Sequence, residues 1–469
     1  MGTLDIVILF AYLAVLVGIG VYAQRRKPDV DDYFVAGRRI GPLTIGCMWV
    51  AAWIGGASIV GTSARVYAQG LTGIWYILGI AIGCTLFGLT VAQRVKQLGD
   101  GDRHLTYPDF IERHYDNRTR AVATITTVLA YTAYSAGQFA AAAAILQVLV
   151  GWSYGQCLLL AGAIVTLYTA AGGYLAVTYT DRVQVTLVIL GIVAVGVPVA
   201  ISQAGSWADM RAVLPASHYD FGAQGWDHVA ALVVSMVLSF FVAMDSFSRS
   251  FAARDAETAR RGALLAPVLM LPIALAVAWL GLAAAVLYPD PASSASILAT
   301  FVLDRFPVGL KGLMVIGILS AVMSVASISV LTASANYARD IHQRYLRPDI
   351  PPAAMLRIGT LASLGAGGLG LLMAWKMRDI IDILQFGFTI NSAGLFLPTI
   401  AALWSDRIPG RAAFWSTLAS LATVIAWRLA ADAGGIFAID PLWPGLAVSL
   451  LLLVSMTALS PRRAEGAAA

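Results

Sequence analysis

The sequence predicts an all-α polytopic membrane protein, and three observations carry that reading. Hydrophobic residues make up 59% of the 469-residue chain and charged residues only 12%, about half the charge of an ordinary soluble domain. Apolar runs of about 20 residues, the length a helix needs to cross a bilayer, recur along the whole chain, and the mean hydropathy is +0.77. No region shows the short alternating segments that a transmembrane barrel requires.

Taken in order, the apolar runs give about thirteen spans, near 4–24, 42–65, 71–93, 121–150, 156–177, 183–203, 227–251, 263–288, 308–338, 355–375, 379–404, 411–430 and 442–460. The first has no basic region before it and no small-residue cleavage site after it, so it reads as a retained span and not a signal peptide. Asp5 opens it and is expected to be solvated. The ninth is long enough to require tilt. Most of the 31 Lys and Arg residues fall in alternate loops, which places the N-terminus outside and the C-terminus inside. The net charge of +5 therefore reflects orientation and not nucleic-acid binding. Cys47, Cys84 and Cys157 lie in or beside apolar runs and form no disulfide framework. The longest loops, near 95–120 and 204–226, leave no room for a large soluble domain.

Several spans depart from plain hydrophobicity. Span 2 contains Trp53-Ile54-Gly55-Gly56-Ala57-Ser58, and each glycine weakens a helix interior by about 1 kcal/mol relative to alanine. The pair permits either close helix packing or an unwound point whose freed carbonyls face a ligand, as in discontinuous transporter helices. Span 9 places Ser320, Ser324 and Ser327 at i, i+4 and i+7, on one helix face. These hydroxyls either back-bond to the preceding turn or offer oxygen ligands to a small hard cation.

Span 4 carries Tyr131, Tyr134, Ser135 and Gln138, and span 11 carries Gln385, Phe386, Phe388, Thr389, Asn391 and Ser392. Interhelical hydrogen bonds and a solute pocket account equally well for both sets. The acidic residues of interest are Asp181, Asp245, Asp379 and Asp382, with Asp379 solvated at a span end and Asp245 four residues from Arg249, in reach of a simple ion pair. Enzyme chemistry finds no support. His104, His114, His218, His228 and His342 all sit in loops or at span ends, and Gly56-Ala57-Ser58 has no histidine placed in a span to act as base. No cofactor motif is present.

The stretch from Tyr168 to Gln184, YTAAGGYLAVTYTDRVQ, sets a polar seam between two membrane-length runs. Tyr168, Thr169, Gly172, Gly173, Ala176, Thr180-Asp181 and Gln184 resemble the signature of the sodium:solute symporter family, with Tyr174 a departure. Three further blocks agree, in order: Asp32-Tyr33-Phe34 with Gly37-Arg38; Thr106-Tyr107-Pro108-Asp109-Phe110 with Arg113-His114-Tyr115; and Arg249 to Asp255 with Ala259-Arg260-Arg261. The resemblance covers spans 1 to 12.

It implies a LeuT-type fold in one transmembrane domain. Residues 42–203 and 227–404 would form inverted five-helix repeats, 1–41 would hold the first span and its loop, and 405–469 two further spans and a short tail. The symmetry implies a second broken helix in span 7, yet Ser239-Phe240-Phe241-Val242 carries no Gly or Pro to mark one. It also implies a sodium site with carbonyls from Ala51, Ile54 and Ala321, hydroxyls from Ser324 and position 325, and Asp181 near the inner exit. Position 325 is Val325, where the family pattern puts a hydroxyl, and a methyl cannot ligate sodium.

The implied activity is sodium-coupled symport of a small organic solute by alternating access across a bacterial inner membrane. The alternatives are a proton-coupled or cation-independent carrier, or a solute sensor, on the same fold. The candidate solute residues are Trp53, Gly55, Gly56, Ser58, Tyr134, Gln138, Phe240, Phe241, Phe388 and Asn391. Their aromatic rings suit a cation or an apolar solute. A helix N-terminus can hold a carboxylate.

Overall fold

The computed structural model describes residues 2–25, 36–101, 106–290, 296–377, 380–405, 407–430 and 435–460. Asp32, Tyr33, Phe34, His104, Arg378 and Asp379 fall outside this set, as do the side chains of Tyr168 and of residues 171–176. The described residues are helical throughout, apart from turns and one isolated β-bridge. Among the described residues, eight helices are long and apolar enough to cross a membrane, nine when one bent pair counts as a single span, and four shorter apolar helices accompany them.

In chain order the helices are α1 (Thr3–Arg25), α2 (Pro42–Trp53), α3 (Thr62–Gln69), α4 (Trp75–Thr90), α5 (Ala92–Gly101), α6 (Tyr107–His114), α7 (Asn117–Val150) and α8 (Tyr154–Val188). There follow α9 (Val197–Ala204), α10 (Trp207–Val213), α11 (Trp226–Phe240), α12 (Met244–Ala252), α13 (Ala256–Leu287), α14 (Ile297–Arg305) and α15 (Leu310–Ala335). The last are α16 (Pro352–Lys376), α17 (Ile380–Trp404), α18 (Gly410–Ala430) and α19 (Leu442–Ala458). Wide π turns continue the helical path at Ala57–Gly61, Ile189–Gly196 and Asn336–Leu346.

Local chemistry explains where several of these start. Thr106 and Asp109 form a reciprocal capping box at α6, as do Ser153 with Gln156 at α8 and Ser206 with Asp209 at α10. The side chains of Asp116 and Asp255 accept the free amides at the starts of α7 and α13. The bounds of α8 run through the Gly172-Gly173 seam, so the two apolar runs that the sequence reading counts as spans 5 and 6 are joined there by one helix.

Asp5 corrects its expectation. Its carboxylate is fully buried and accepts the backbone amides of Gly2, Gly309 and Gly312 at 2.8, 2.7 and 2.9 Å. The start of α15 has a glycine where a capping side chain would sit, so its unpaired first-turn amides take their acceptor from α1. Span 1 is thereby tied to the serine-bearing helix.

At the centre, α15 lies against α7, α8 and α1. Small residues allow the closest crossing: a Cβ on Gly191 would meet the Leu313 carbonyl at 2.7 Å, and one on Gly317 the Leu187 carbonyl at 3.0 Å. The outer surfaces of α13, α16 and α19 expose Leu275, Leu369 and Leu451. Such residues suit a lipid-facing wall.

Two of the sequence motifs meet in one clamp. Ile40 gives its amide to Ala252 and accepts the Arg254 amide, both at 3.1 Å. Arg38 and Lys96 converge on Asp100 at 3.1 and 2.8 Å, and Lys96 also donates to the Phe251 carbonyl. Burial draws Lys96 below the ordinary lysine pKa while Asp100 pulls the other way. The loop before α2 is thus fastened to the end of α12.

Candidate functional site

The site forms where two helices break beside one another. In the first, the α2 ladder ends with the Ile54 amide on the Val50 carbonyl at 2.8 Å. Ile54 then leaves helical geometry (φ −92, ψ 85), and Gly56 returns to it (φ −56, ψ −41). A continuous helix would give the Gly56 amide to Ala52; instead it donates to Gln138 Oε1 on α7 at 2.6 Å. The Ser58 hydroxyl donates to the Trp53 carbonyl at 2.9 Å. The break leaves late α2 carbonyls, Ala51 among them, without their helical donors. Glycine is required here by approach: a Cβ on Gly55 would lie 2.6 Å from both Gln138 Oε1 and Val325 Cγ2.

The second break, which the sequence did not mark, lies between α11 and α12, whose axes differ by 40°. The Val242 and Ala243 amides both fall back on Ser239 at 3.1 and 2.8 Å. Ala243 has no capping side chain. The missing cap comes from another helix, since the Asp245 amide donates to Tyr131 Oη at 3.0 Å. Phe240 and Phe241 take different ring partners, Phe240 packing on Trp53 and Trp49, Phe241 on Phe87 and Phe396. Tertiary contacts make this break without Gly or Pro.

Between the breaks stands an aromatic stack. The Trp53 ring lies 3.8 Å from Phe240 and 5.7 Å from Phe388, centroid to centroid, with interplanar angles of 17° and 12°. Tyr134 packs on Phe388 at 4.9 Å and shares a 3.2 Å hydrogen bond with Ser239. Beside the stack lies a cavity of about 20 Å³, room for about one water and too small for an organic solute. Trp53, Tyr76, Tyr134 and Phe388 give it apolar walls, while Gln138, Ser58, Ser329 and Asp245 give it polar groups.

Beneath the cavity, Asp245 Oδ1 pairs with Arg249 Nη1 at 3.0 Å, the ion pair that their spacing predicts. Arg249 is 1% exposed. It also donates from Nε to the Met48 carbonyl of α2 at 2.9 Å and from Nη1 to the Asp245 carbonyl at 3.2 Å.

Of the residues expected at a cation site, Ala51, Ile54, Ala321, Ser324, Val325 and Asp181 are all buried. Val325 reaches the Gly55 backbone and Val322 the Gly56 backbone, so α15 does meet the first break. The Ser324 hydroxyl donates to the Ala321 carbonyl at 3.0 Å, and Ser327 to the Ser324 carbonyl at 3.1 Å. Asp181 lies within electrostatic reach of Arg249 and Asp245, and its neighbour Arg182 donates to Thr44 at the start of α2.

Of the residues expected to meet solute, Trp53, Gly55, Ser58, Tyr134, Gln138 and Phe388 line the cavity. Gly56 and Phe240 support it from behind, through Gln138 and Trp53. Phe241 faces Phe87 and Phe396 instead. Asn391 is fully buried, and neither of its amide atoms has a hydrogen-bond partner among the described residues. Tyr76, Ser329 and Leu384 also line the cavity. Tyr76 and Leu384 carried no sequence signal, because a single tyrosine or leucine in an apolar run is ordinary, while Ser329 belongs to the serine-rich run of span 9 but lies off the face of Ser320, Ser324 and Ser327.

Two ionic contacts flank the site. Arg65 of α3 lies 3.6 Å from Asp382 of α17. Farther away, Arg120 binds Asp109 at 3.1 Å together with Glu112 and the buried Asp340, joining α6, α7 and the π turn after α15. The expected solvated carboxylate Asp379 lies outside the described residues.

Residues 33–420 match the model of the sodium:solute symporter family. The high-affinity proline transporter PutP of Bacillus subtilis is 24% identical over 460 residues, covering 95% of this chain and 96% of that protein. The sodium/proline symporter of Escherichia coli K12 is 25% identical, covering 89% and 86%. Among solved structures, a Na⁺-coupled sialic acid symporter in a substrate-bound outward-open state superposes with a TM-score of 0.84 at 20% identity, over 98% of both chains. The nucleobase-cation-symport transporter Mhp1, closed around bromovinylhydantoin, gives 0.61 at 15% identity, over 93% and 98%.

Proposed function

The chain belongs to the sodium:solute symporter family, and from that premise we propose that it carries a small zwitterionic amino acid of the proline class. Family membership makes it a multi-pass, sodium-coupled carrier of a small organic solute and not an enzyme. The observation that carries the finer reading is the cavity between the two breaks, with aromatic walls and a carboxylate at its floor. Trp53, Tyr134 and Phe388 suit an apolar ring, and Asp245 with Gln138 suits its ammonium. The carboxylate is left to the positive ends of the helix dipoles at the breaks. Relatives named as proline carriers support the same class.

The rest of the reading follows the family pattern. Thirteen spans would cross a bacterial inner membrane with the N-terminus outside and the C-terminus inside. Residues 42–203 and 227–404 form the inverted repeats, and 1–41 and 405–469 flank them. Broken helices at Gly55 and at Phe240–Met244, one in each repeat, support that symmetry. Sodium binds at the α2–α15 contact through the carbonyls of Ala51, Ile54 and Ala321 and the hydroxyl of Ser324, beside Val325, with Asp181 on its exit path. Trp53, Gly55, Gly56, Ser58, Tyr134, Gln138, Phe240, Phe388 and Asn391 form or support the solute site. Because the cavity has no room for proline, solute entry requires the two breaks to part.

The test is uptake of labelled L-proline into proteoliposomes under an inward sodium gradient, with choline as competitor. Sodium-driven accumulation that choline leaves intact is the expected result. Uptake driven by a pH gradient without sodium would replace the coupling ion, and failure to carry proline would replace the solute.

A further inference from the structure

We infer that Arg249 is the positioning residue through which the cation site and the solute cavity sense one another. The inference rests on the site assignment above but not on the identity of the solute.

The geometry is that of a bridge with two different ends. One guanidinium nitrogen holds the Met48 carbonyl on α2 at 2.9 Å, one turn before Ala51. Another holds Asp245 at the head of α12, through its carboxylate at 3.0 Å and its carbonyl at 3.2 Å. Met48 belongs to the helix whose broken end supplies cation carbonyls, and Asp245 is the carboxylate of the solute cavity. Any tilt of α2 that brings Ala51 and Ile54 onto a cation moves the Met48 carbonyl. Because the guanidinium is a rigid planar fork, that movement must be passed to Asp245 or must break a buried, charge-assisted bond.

The surroundings leave this link little freedom. Arg249 and Met48 are both about 1% exposed, so bulk water does not compete for the Met48 carbonyl. The clamp between Ile40 and Ala252–Arg254 fixes the other ends of the same two helices. The inner halves of the two broken spans therefore have one fixed joint and one that reports on occupancy. Lysine keeps the charge but offers a point charge in place of the fork, so it can hold Asp245 or Met48 but not both in the same geometry.

The test uses the purified full-length protein and its Arg249→Lys and Arg249→Gln variants. The lysine variant keeps a cation beside the buried Asp245 carboxylate and so guards against misfolding from an uncompensated charge. L-proline binding is titrated with and without sodium. In the wild type sodium raises affinity by a factor within the roughly 5- to 150-fold range of coupled sites, and in each Arg249 variant that factor falls to within about twofold of one. A variant that keeps the wild-type factor, or that loses binding equally with and without sodium, overturns the inference.

A solute-free arm separates this from the choice of proline. Cys84 and Cys157 are replaced by alanine, and N-ethylmaleimide labelling is followed at Cys47 on α2 and, separately, at a Ser248→Cys position on α12. Sodium changes the labelling rate at both positions in the wild type, and at Cys47 alone in Arg249→Gln. If the wild type binds no proline yet these rates behave as stated, the solute reading fails and the bridge stands. If both positions still respond in Arg249→Gln, or neither responds in the wild type, the bridge fails.

Discussion

Gly56→Ala isolates the contact that holds the first helix break in place. Gly56 sits at φ −56, ψ −41, a conformation alanine adopts freely, so the substitution carries no backbone strain. Its cost is steric. The new methyl would lie 2.3 Å from the Cβ of Ala141, and 3.2 Å from both Gln138 Oε1 and Val322 Cγ2. Carbon atoms prefer about 3.5–4.0 Å, and two Cβ atoms fixed to helical backbones have no rotamer by which to escape. Overpacking of this kind costs about 1–3 kcal/mol. Pushing the break away from α7 also loses the 2.6 Å bond from the Gly56 amide to Gln138, about 1 kcal/mol more. A total of about 2–4 kcal/mol corresponds to a roughly 30- to 1,000-fold loss of the closed arrangement. In proteoliposomes at equal protein load, sodium-driven uptake of the proposed solute, proline, by Gly56→Ala falls at least tenfold. Ala141→Gly removes the methyl that the new one meets, so the double variant regains most of the lost rate. Wild-type uptake by the single variant, or no recovery in the double, would show that this contact does not set the break.

Two further perturbations test other parts of the architecture. Ser324→Ala removes the α15 hydroxyl beside the first break, and Val325→Ser adds one; half-saturating sodium for uptake rises in the first and falls in the second, and an unchanged sodium dependence in both refutes the cation assignment. Arg120→Ala leaves the fully buried Asp340 without its cation, at a cost of about 3–5 kcal/mol. The thermal midpoint in detergent drops sharply, and Asp340→Asn in the same chain restores part of it; equal midpoints for all three proteins would mean that the α6–α7–α15 junction contributes nothing.

What could be read from the residues, and what could not, divides along a physical line. The first break was legible because its cause is local: Gly55 and Gly56 weaken the helix in the sequence itself. The serine face of span 9 was legible for the same reason, since i, i+4 and i+7 fix a direction whatever packs against it. The second break was not legible. Its cap is Tyr131 on another helix, and Phe240 and Phe241 pack on rings that other helices supply. Asp5 misled in the same way. A carboxylate one residue into a span looks solvated until the amides of a helix some three hundred residues later close around it. The Asp245–Arg249 pair was legible as a pair, but the Met48 carbonyl that completes it was not.

The loss of a hydroxyl at Val325 bears on how tightly sodium is held more than on whether it is coupled. Ser324 donates its hydrogen to the Ala321 carbonyl. Each of these oxygens keeps lone pairs for a cation, and the bond holds the serine in one orientation. On the proposed assignment, two protein oxygens on α15 and the released carbonyls of α2 then remain, one ligand fewer than the family resemblance implies. A site with fewer oxygens binds a hard cation more weakly, which shifts the working range toward higher sodium and eases release at the end of the cycle. Coupling is a separate quantity: it is the free energy by which one site's occupancy changes the other's. In the proposed reading that term depends on what links α2 to Asp245, and Arg249 holds both the Met48 carbonyl of α2 and Asp245. On the proposed assignment, position 325 on α15 tunes affinity and Arg249 on α12 carries coupling, so a substitution at one should move its own quantity while leaving the other in place.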